Sequence, residues 1–172
     1  MFYTENKTPC YHEEVAISTI KEIISNFNPE VVIELGTKNG GFTEILQEST
    51  DDSTTIYSYD NKVYPKRPVF RDNVHFVIGD VIWVINDDIV NICKSDKKVL
   101  LYCDNGKKRK ELELYTKYLK PGDMLGVHDW GVELDYHHVK DYLHGFSFVM
   151  RRELKKLNSK TRFWLRMRNG GK

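Results

Sequence analysis

The stretch Val31-Val32-Ile33-Glu34-Leu35-Gly36-Thr37-Lys38-Asn39-Gly40-Gly41 decides how the rest of this chain is read. Its opening run is largely apolar and β-branched, too short for a helix and bounded by Pro29 and Gly36, so it reads as a strand. Apolar side chains at successive positions mean burial on both faces, the condition of a central strand covered by helices on each side. The glycine-rich turn then enters Phe42-Thr43-Glu44-Ile45-Leu46, a helix. Glycine permits positive φ and lets a ligand approach the backbone. The amide N–H groups that open the next helix can receive an anion or a polar ligand. The spacing matches neither a phosphate loop nor G-x-G-x-x-G. By itself the turn reads equally well as a simple joint between strand and helix.

Outward from this unit, the apolar pattern alternates between helix and strand. Upstream, Val15, Ile20, Ile23, Ile24 and Phe27 recur at helical spacing until Pro29 stops them. Downstream, Thr55-Ile56-Tyr57-Ser58-Tyr59 is a strand ending at Asp60, and Val74-His75-Phe76-Val77-Ile78 is one ending at Gly79-Asp80. A helix through Ile82, Ile85, Ile89 and Ile92 leads to the strand Lys98 to Cys103, which ends at Asp104. A helix through Leu112, Tyr115 and Leu119 leads to the strand Met124 to His128, which ends at Asp129. A short helix around Val139 to Leu143 precedes a hairpin of Phe146 to Glu153 and Thr161 to Met167, turning through Lys156 to Ser159. Five strands alternating with helices, then a hairpin, predict a doubly wound α/β sheet of seven strands, mostly parallel with an antiparallel C-terminal edge. Ligands of such sheets bind outside the carboxyl ends of the strands. Asp60, Asp80, Asp104 and Asp129 all fall there, beside the glycine turn.

Bulk properties narrow the field. The 172 residues suit one domain over 1–172, with 1–28 as an N-terminal helix or lid. A formal charge of +1 favours neither a polyanionic nor an acidic partner. No apolar run approaches the roughly 18 residues of a membrane span, and the start lacks the layout of a signal peptide. Cys10, Cys93 and Cys103 form neither a disulfide framework nor a C-x-x-C pair. A reduced, cytoplasmic protein is expected.

Val-Ile-Glu-Leu-Gly-Thr-x-x-Gly-Gly, the acid at Asp60 and the pair Gly79-Asp80 resemble the first three motifs of class I S-adenosylmethionine-dependent methyltransferases, whose fold is Rossmann-like. The similarity covers roughly residues 31–168. It implies that Glu34 and Gly36 line the methionine end of the cofactor, Asp60 holds the ribose, and Asp80 holds the adenine amino group. Thr37, Gly40, Asn61, Val81 and Asp104 complete the implied cofactor set.

The reaction site is expected after the fourth and fifth strands. Asp104-Asn105-Gly106 departs from the Asn/Asp-Pro-Pro-aromatic motif of base-directed methyltransferases. Asp104-x-x-Lys107, with a polar pair after the next strand, is similar to the metal-dependent catechol and caffeoyl-coenzyme-A O-methyltransferases. That resemblance implies Mg2+ or Mn2+ on Asp104 and Asp129, with His128 as a further ligand, and Lys107 as a base. A hard dication prefers oxygen ligands and lowers the pKa of a bound hydroxyl. An imidazole at His128 suits manganese, iron or zinc better than magnesium. Val127-His128-Asp129-Trp130 also looks like the group of cephalosporin hydroxylases and sugar O-methyltransferases. Trp130, Tyr136, His137 and His138 are candidate walls of an acceptor pocket, although adjacent helical residues diverge, and the two histidines read better as solvated. By analogy, Tyr11 and His12 in the N-terminal helix fold over the cofactor.

These readings predict O-methylation of a small hydroxylated acceptor whose identity stays open among catechols, sugars and natural products. Three alternatives stand beside it. The domain could bind S-adenosylmethionine without catalysis, or act as a metal-dependent oxygenase on the same scaffold. Arg162, Trp164, Arg166 and Arg168 alternate with Phe163, Leu165 and Met167, and that basic face suggests edge protection first and RNA or a nucleotide second. A homodimer completing the pocket is a further option.

Overall fold

The computed structural model describes residues 1–64 and 69–168. Two short strands, β1 (Phe2–Tyr3) and β2 (Pro9–Cys10), pair antiparallel ahead of α1 (Ile17–Phe27). There follow β3 (Val31–Leu35), α2 (Gly41–Glu48), β4 (Thr55–Asp60), β5 (Val74–Ile78), α3 (Asp87–Lys94), β6 (Val99–Cys103), α4 (Lys108–Tyr115) and β7 (Met124–Val127). The chain ends with α5 (Tyr136–Val139), β8 (Phe146–Val149), α6 (Arg151–Lys156) and β9 (Arg162–Arg166).

The seven-stranded sheet has the order β5-β4-β3-β6-β7-β9-β8. β3 to β7 run parallel, while β9 is antiparallel to both its neighbours. As the apolar run requires, β3 lies inside the sheet and is buried at every position. Val31, Ile33 and Leu35 join the core beneath α3, α4 and α5, and Val32 joins the core beneath α1 and α2. The winding reverses between β3 and β6, and those strands are in level register, Leu35 opposite Cys103. Gly36 and Asp104 therefore emerge side by side at the switch point, where such sheets bind ligands.

Local chemistry shifts several predicted boundaries. Asn86 caps α3 by accepting from Asp88 N and Ile89 N, so Ile82 and Ile85 precede that helix. Asp80 Oδ1 takes up Ile82 N and Trp83 N in a turn instead. The short helix after β7 opens at Tyr136, earlier than expected, because Asp135 and His138 form a capping box. His12 sits in a bend ahead of α1 and not within a helix.

The C-terminal hairpin needs the largest correction. α6 takes the end of the predicted first strand, which stops at Val149, and β9 lies between β7 and β8, so it is not an edge strand. Trp164 is not on a solvated basic face. It is 1% exposed and packs on Trp130 and Phe148, with ring centroids 5.2 and 5.0 Å away. Arg162 donates to the carbonyls of Ser159 and Thr161, and Arg166 to that of His144. Among the described residues no helix is long and apolar enough to cross a membrane.

Candidate functional site

A cavity of about 500 Å3 opens at the carboxyl ends of the parallel strands. Its size falls within the roughly 300–1,000 Å3 of small-molecule sites. Gly36, Thr37, Asp60 and Asn61 line one part of it; Asp104, His128 and Asp129 line another. These seven predicted residues are thus brought together. Glu34, Gly40, Asp80 and Val81 do not reach the wall, and Lys107 borders a neighbouring cavity instead.

The glycine turn is built for close approach. Gly36 has φ +106°, and a Cβ there would lie 2.5 Å from Asp104 O, so no other residue fits without a shift. Gly36 N donates to Tyr59 O, and Lys38 N to Asp60 Oδ2, both at 2.8 Å. Asp60 Oδ1 also accepts from Lys62 N at 3.1 Å. Each carboxylate oxygen can accept twice, so Asp60 organises the loop while keeping capacity for ligand hydroxyls. Glu34 acts from below. Its Oε2 accepts from Thr43 Oγ1 (2.6 Å) and Ser58 Oγ (2.5 Å), which ties α2 to β4 beneath the turn. Burial pushes its carboxyl up to about 7.

The other end of the cavity is ionic. Lys108, 2% exposed, directs Nζ to Asp129 Oδ2 at 2.6 Å, and to Asp104 Oδ1 and Glu133 Oε2 at 3.3 Å each. Burial alone would lower its pKa, but the three carboxylates raise it well above the ordinary lysine value. Lys108 is a fixed cation here and cannot take a proton. Burial opposes ionisation of Asp129, yet the hydrogen bond from Lys108 and the nearby His128 hold its pKa below the ordinary value. Beneath Lys108, burial pushes the Glu111 carboxyl up to about 8.

Two histidines close the site. His12, from the segment after β2, is 2% exposed and stacks between Phe42 and His128, both rings centred 4.0 Å away. Its Nε2 shares a 2.8 Å hydrogen bond with Tyr102 Oη and lies 3.8 Å from Asp104 Oδ2. Burial, with His128 and Lys108 alongside, holds the His12 pKa well below its ordinary value, so the ring is neutral. His128 Nδ1 lies 3.2 Å from Asp104 Oδ1, and its buried Nε2 has no hydrogen-bond partner. One potential ligand atom from each of His12, Asp104 and His128 lies within 4.8 Å of the others. His137 and His138 are exposed and take no part.

The segment carrying His12 is fastened to α2. A Cβ on Gly41 would collide with Pro9 O, so β2 rests directly on the helix start. Glu44 accepts from Thr4 Oγ1 (2.8 Å) and Asn6 Nδ2 (2.7 Å). Sequence reasoning assigned His12 to a lid by analogy and missed its place beside Asp104. It also named Lys107 alone and passed over Lys108, the lysine that faces Asp104, a difference that turns on where α4 begins.

No protein-family model matches the chain, and no curated protein does. Solved structures are similar. A candidate caffeoyl-CoA O-methyltransferase from Staphylococcus aureus shares 15% identity over 94% of this chain and 87% of its own, with a TM-score of 0.59. The CmcI-N160 apo-structure shares 10% over 97% and 76%, with a TM-score of 0.69. The MycE methyltransferase of the mycinamycin biosynthetic pathway, in complex with Mg, SAH and mycinamycin VI, shares 14% over 90% of this chain and 50% of its own, with a TM-score of 0.61. At such identities the shared property is the fold, and this chain has the α/β fold of these structures, with a seven-stranded sheet.

Proposed function

We propose that this chain is an S-adenosylmethionine-dependent O-methyltransferase acting on a small hydroxylated acceptor with the help of a divalent cation. The observation that carries the reading is the convergence of Gly36, Asp60 and Asp104, each at or just after the end of a neighbouring parallel strand, on one cavity. Further support comes from MycE, a structure of the same fold that holds SAH, Mg and mycinamycin VI. Fold by itself does not carry function, so the weight rests on the site.

When bound, S-adenosylmethionine supplies a methyl group on a positively charged sulfur. In this reading the Gly36 turn admits the amino-acid end of the cofactor close to the backbone, with Thr37 beside it. Asp60 and Asn61 receive the ribose. Glu34 and Gly40 act through the shape of the loop, and Asp80 and Val81 through the turn that follows β5. Asp104 and His128 would hold the cation, whose Lewis acidity favours ionisation of an acceptor hydroxyl. Lys108, held protonated, orients Asp104, Asp129 and Glu133 and balances their charge.

Calorimetric titration with S-adenosylmethionine and with SAH tests the cofactor. Micromolar binding that Asp60→Ala abolishes is expected; absence of binding by both ligands sinks the reading. A second reading, an iron-dependent oxygenase, is favoured by the combination of two imidazoles and one carboxylate at the reaction end. Oxygen uptake with Fe2+ and no methyl transfer would select it.

A further inference from the structure

We propose that His12, Asp104 and His128 form a site for a transition-metal dication, with His12 as the ligand that brings the N-terminal segment into the reaction site. The assignment concerns the reaction end of the proposed transferase, but it stands on the cluster and not on methyl transfer.

The division of charge around Asp104 comes first. Its Oδ1 faces Lys108 Nζ and His128 Nδ1, while its Oδ2 faces His12 Nε2. Asp129, the expected second oxygen ligand, has its Oδ2 engaged by Lys108 at 2.6 Å, and its Oδ1, 3.6 Å from His128 Nδ1, falls outside the set of atoms that converge. The groups left to meet a metal are two imidazoles and one carboxylate. Their atoms lie within 4.8 Å of one another. Ligands about 2.1 Å from an ion stand roughly 3–4 Å apart, so the widest pair must close by about 1–2 Å to bring the set onto one ion, a movement within reach of the side-chain torsions of His12 and Asp104. Such a set suits manganese, iron or zinc, whereas magnesium demands oxygen ligands.

The partners of each ring fit this use. His12 gives up a hydrogen bond to Tyr102 Oη when Nε2 turns to a metal, and Tyr102 keeps Thr161 Oγ1 at 3.4 Å as an alternative partner. His128 Nε2, buried and without a partner, lies 4.0 Å from Glu13 Oε1. A metal-ligating histidine ordinarily donates its other ring N–H to a carboxylate, which fixes its tautomer. Glu13 stands where that carboxylate is needed, and it is the next residue after His12. Adjacent residues of one segment thus supply a ligand and the support for another.

The test is equilibrium dialysis of the chelator-stripped chain against Mn2+, Zn2+ or Mg2+, read as metal content per chain. About one Mn2+ or Zn2+ per chain is expected, with Mg2+ bound at least about 100-fold more weakly. His12→Gln lowers Mn2+ affinity by at least about 100-fold and Glu13→Gln by about tenfold, while Asp129→Asn, which alters only the surroundings of the ligands, lowers it by less than about tenfold. Electron spin-echo spectra of bound Mn2+ in the wild type report the coordinated imidazoles directly, so a poorly folded variant does not spoil the test. Two coupled imidazole nitrogens are expected. Magnesium bound as tightly as manganese, loss of metal in Asp129→Asn but not in His12→Gln, or fewer than two coupled imidazoles would each overturn the assignment. A chain that binds Mn2+ this way but no S-adenosylmethionine loses the transferase reading alone. One that binds S-adenosylmethionine but no Mn2+ or Zn2+ loses this site alone.

Discussion

Lys108 Nζ and Asp129 Oδ2 stand 2.6 Å apart, and the lysine side chain is almost entirely buried. Removing the cation leaves Asp104, Asp129 and Glu133 facing one another without compensation. Lys108→Met is therefore expected to cost about 3 kcal/mol of unfolding free energy. Lys107→Met, at an exposed position, should stay within about 0.5 kcal/mol of the wild type. Urea titration of both variants checks the contrast, and equal losses would show that the two lysines had been wrongly distinguished.

Gly36→Ala combines a positive φ with a Cβ 2.5 Å from Asp104 O. The expected cost is about 3 kcal/mol, seen as a fall in melting temperature of roughly 10 °C for a domain of this size. Binding of S-adenosylmethionine should be lost as well, because the turn and the strand end after β6 must separate. A variant melting within a degree of the wild type would mean that the turn has another conformation open to it.

Glu111 and Glu34 make stability depend on pH in a stated direction. Both carboxyls have folded-state pKa values, about 8 and about 7, above the ordinary 4.5. Their contribution is fully present below about pH 4.5 and is lost as pH rises towards 8, because the folded state must give up protons that burial favours. Glu111→Gln cannot ionise. Its stability relative to the wild type should rise between pH 5 and pH 8 by on the order of 1–3 kcal/mol. Denaturation midpoints measured at those two values decide it, and a difference independent of pH would refute the assignment to Glu111.

Gly41→Ala carries no φ penalty but meets Pro9 O. The expected result is a loosened β2 on an otherwise intact sheet. Limited proteolysis should cut between residues 9 and 16 faster than in the wild type, at a stability cost of about 1–2 kcal/mol. Unchanged cleavage would mean that the segment yields elsewhere.

The sheet and one half of the site were legible because they rest on short-range patterns. β-branched runs between Pro29, Gly36 and the strand-end aspartates specify parallel strands, and topology then gathers Asp60, Asp104 and Asp129 at one rim. The reaction end was less legible, for two physical reasons. Lys107 and Lys108 differ by one residue, and which of them faces Asp104 depends on α4 opening at Lys108, a boundary no local cap announces. His12 reaches Asp104 through a bend and a two-stranded ribbon, so no periodicity connects it to β6. At the C-terminus the antiparallel pair of β8 and β9 was legible, but Arg151–Lys156 offers Leu154 as its one apolar residue, too little to reveal α6 in the connection between them. Strand order was equally hidden, since alternation along β9 looks the same at an edge as between neighbours.

The pair of hydrogen bonds from Thr4 and Asn6 to Glu44 has consequences for how variants of this protein sort. Glu44 has no atom in the cavity wall, yet it holds the ribbon that carries His12 and Tyr11. A screen of substitutions scored by ligand affinity would count Glu44 among the contact residues, whereas inspection of the pocket would pass over it. Selection on the site thus reaches a buried position of α2 behind the cavity wall, and the map of residues that matter for binding is wider than the map of residues that touch.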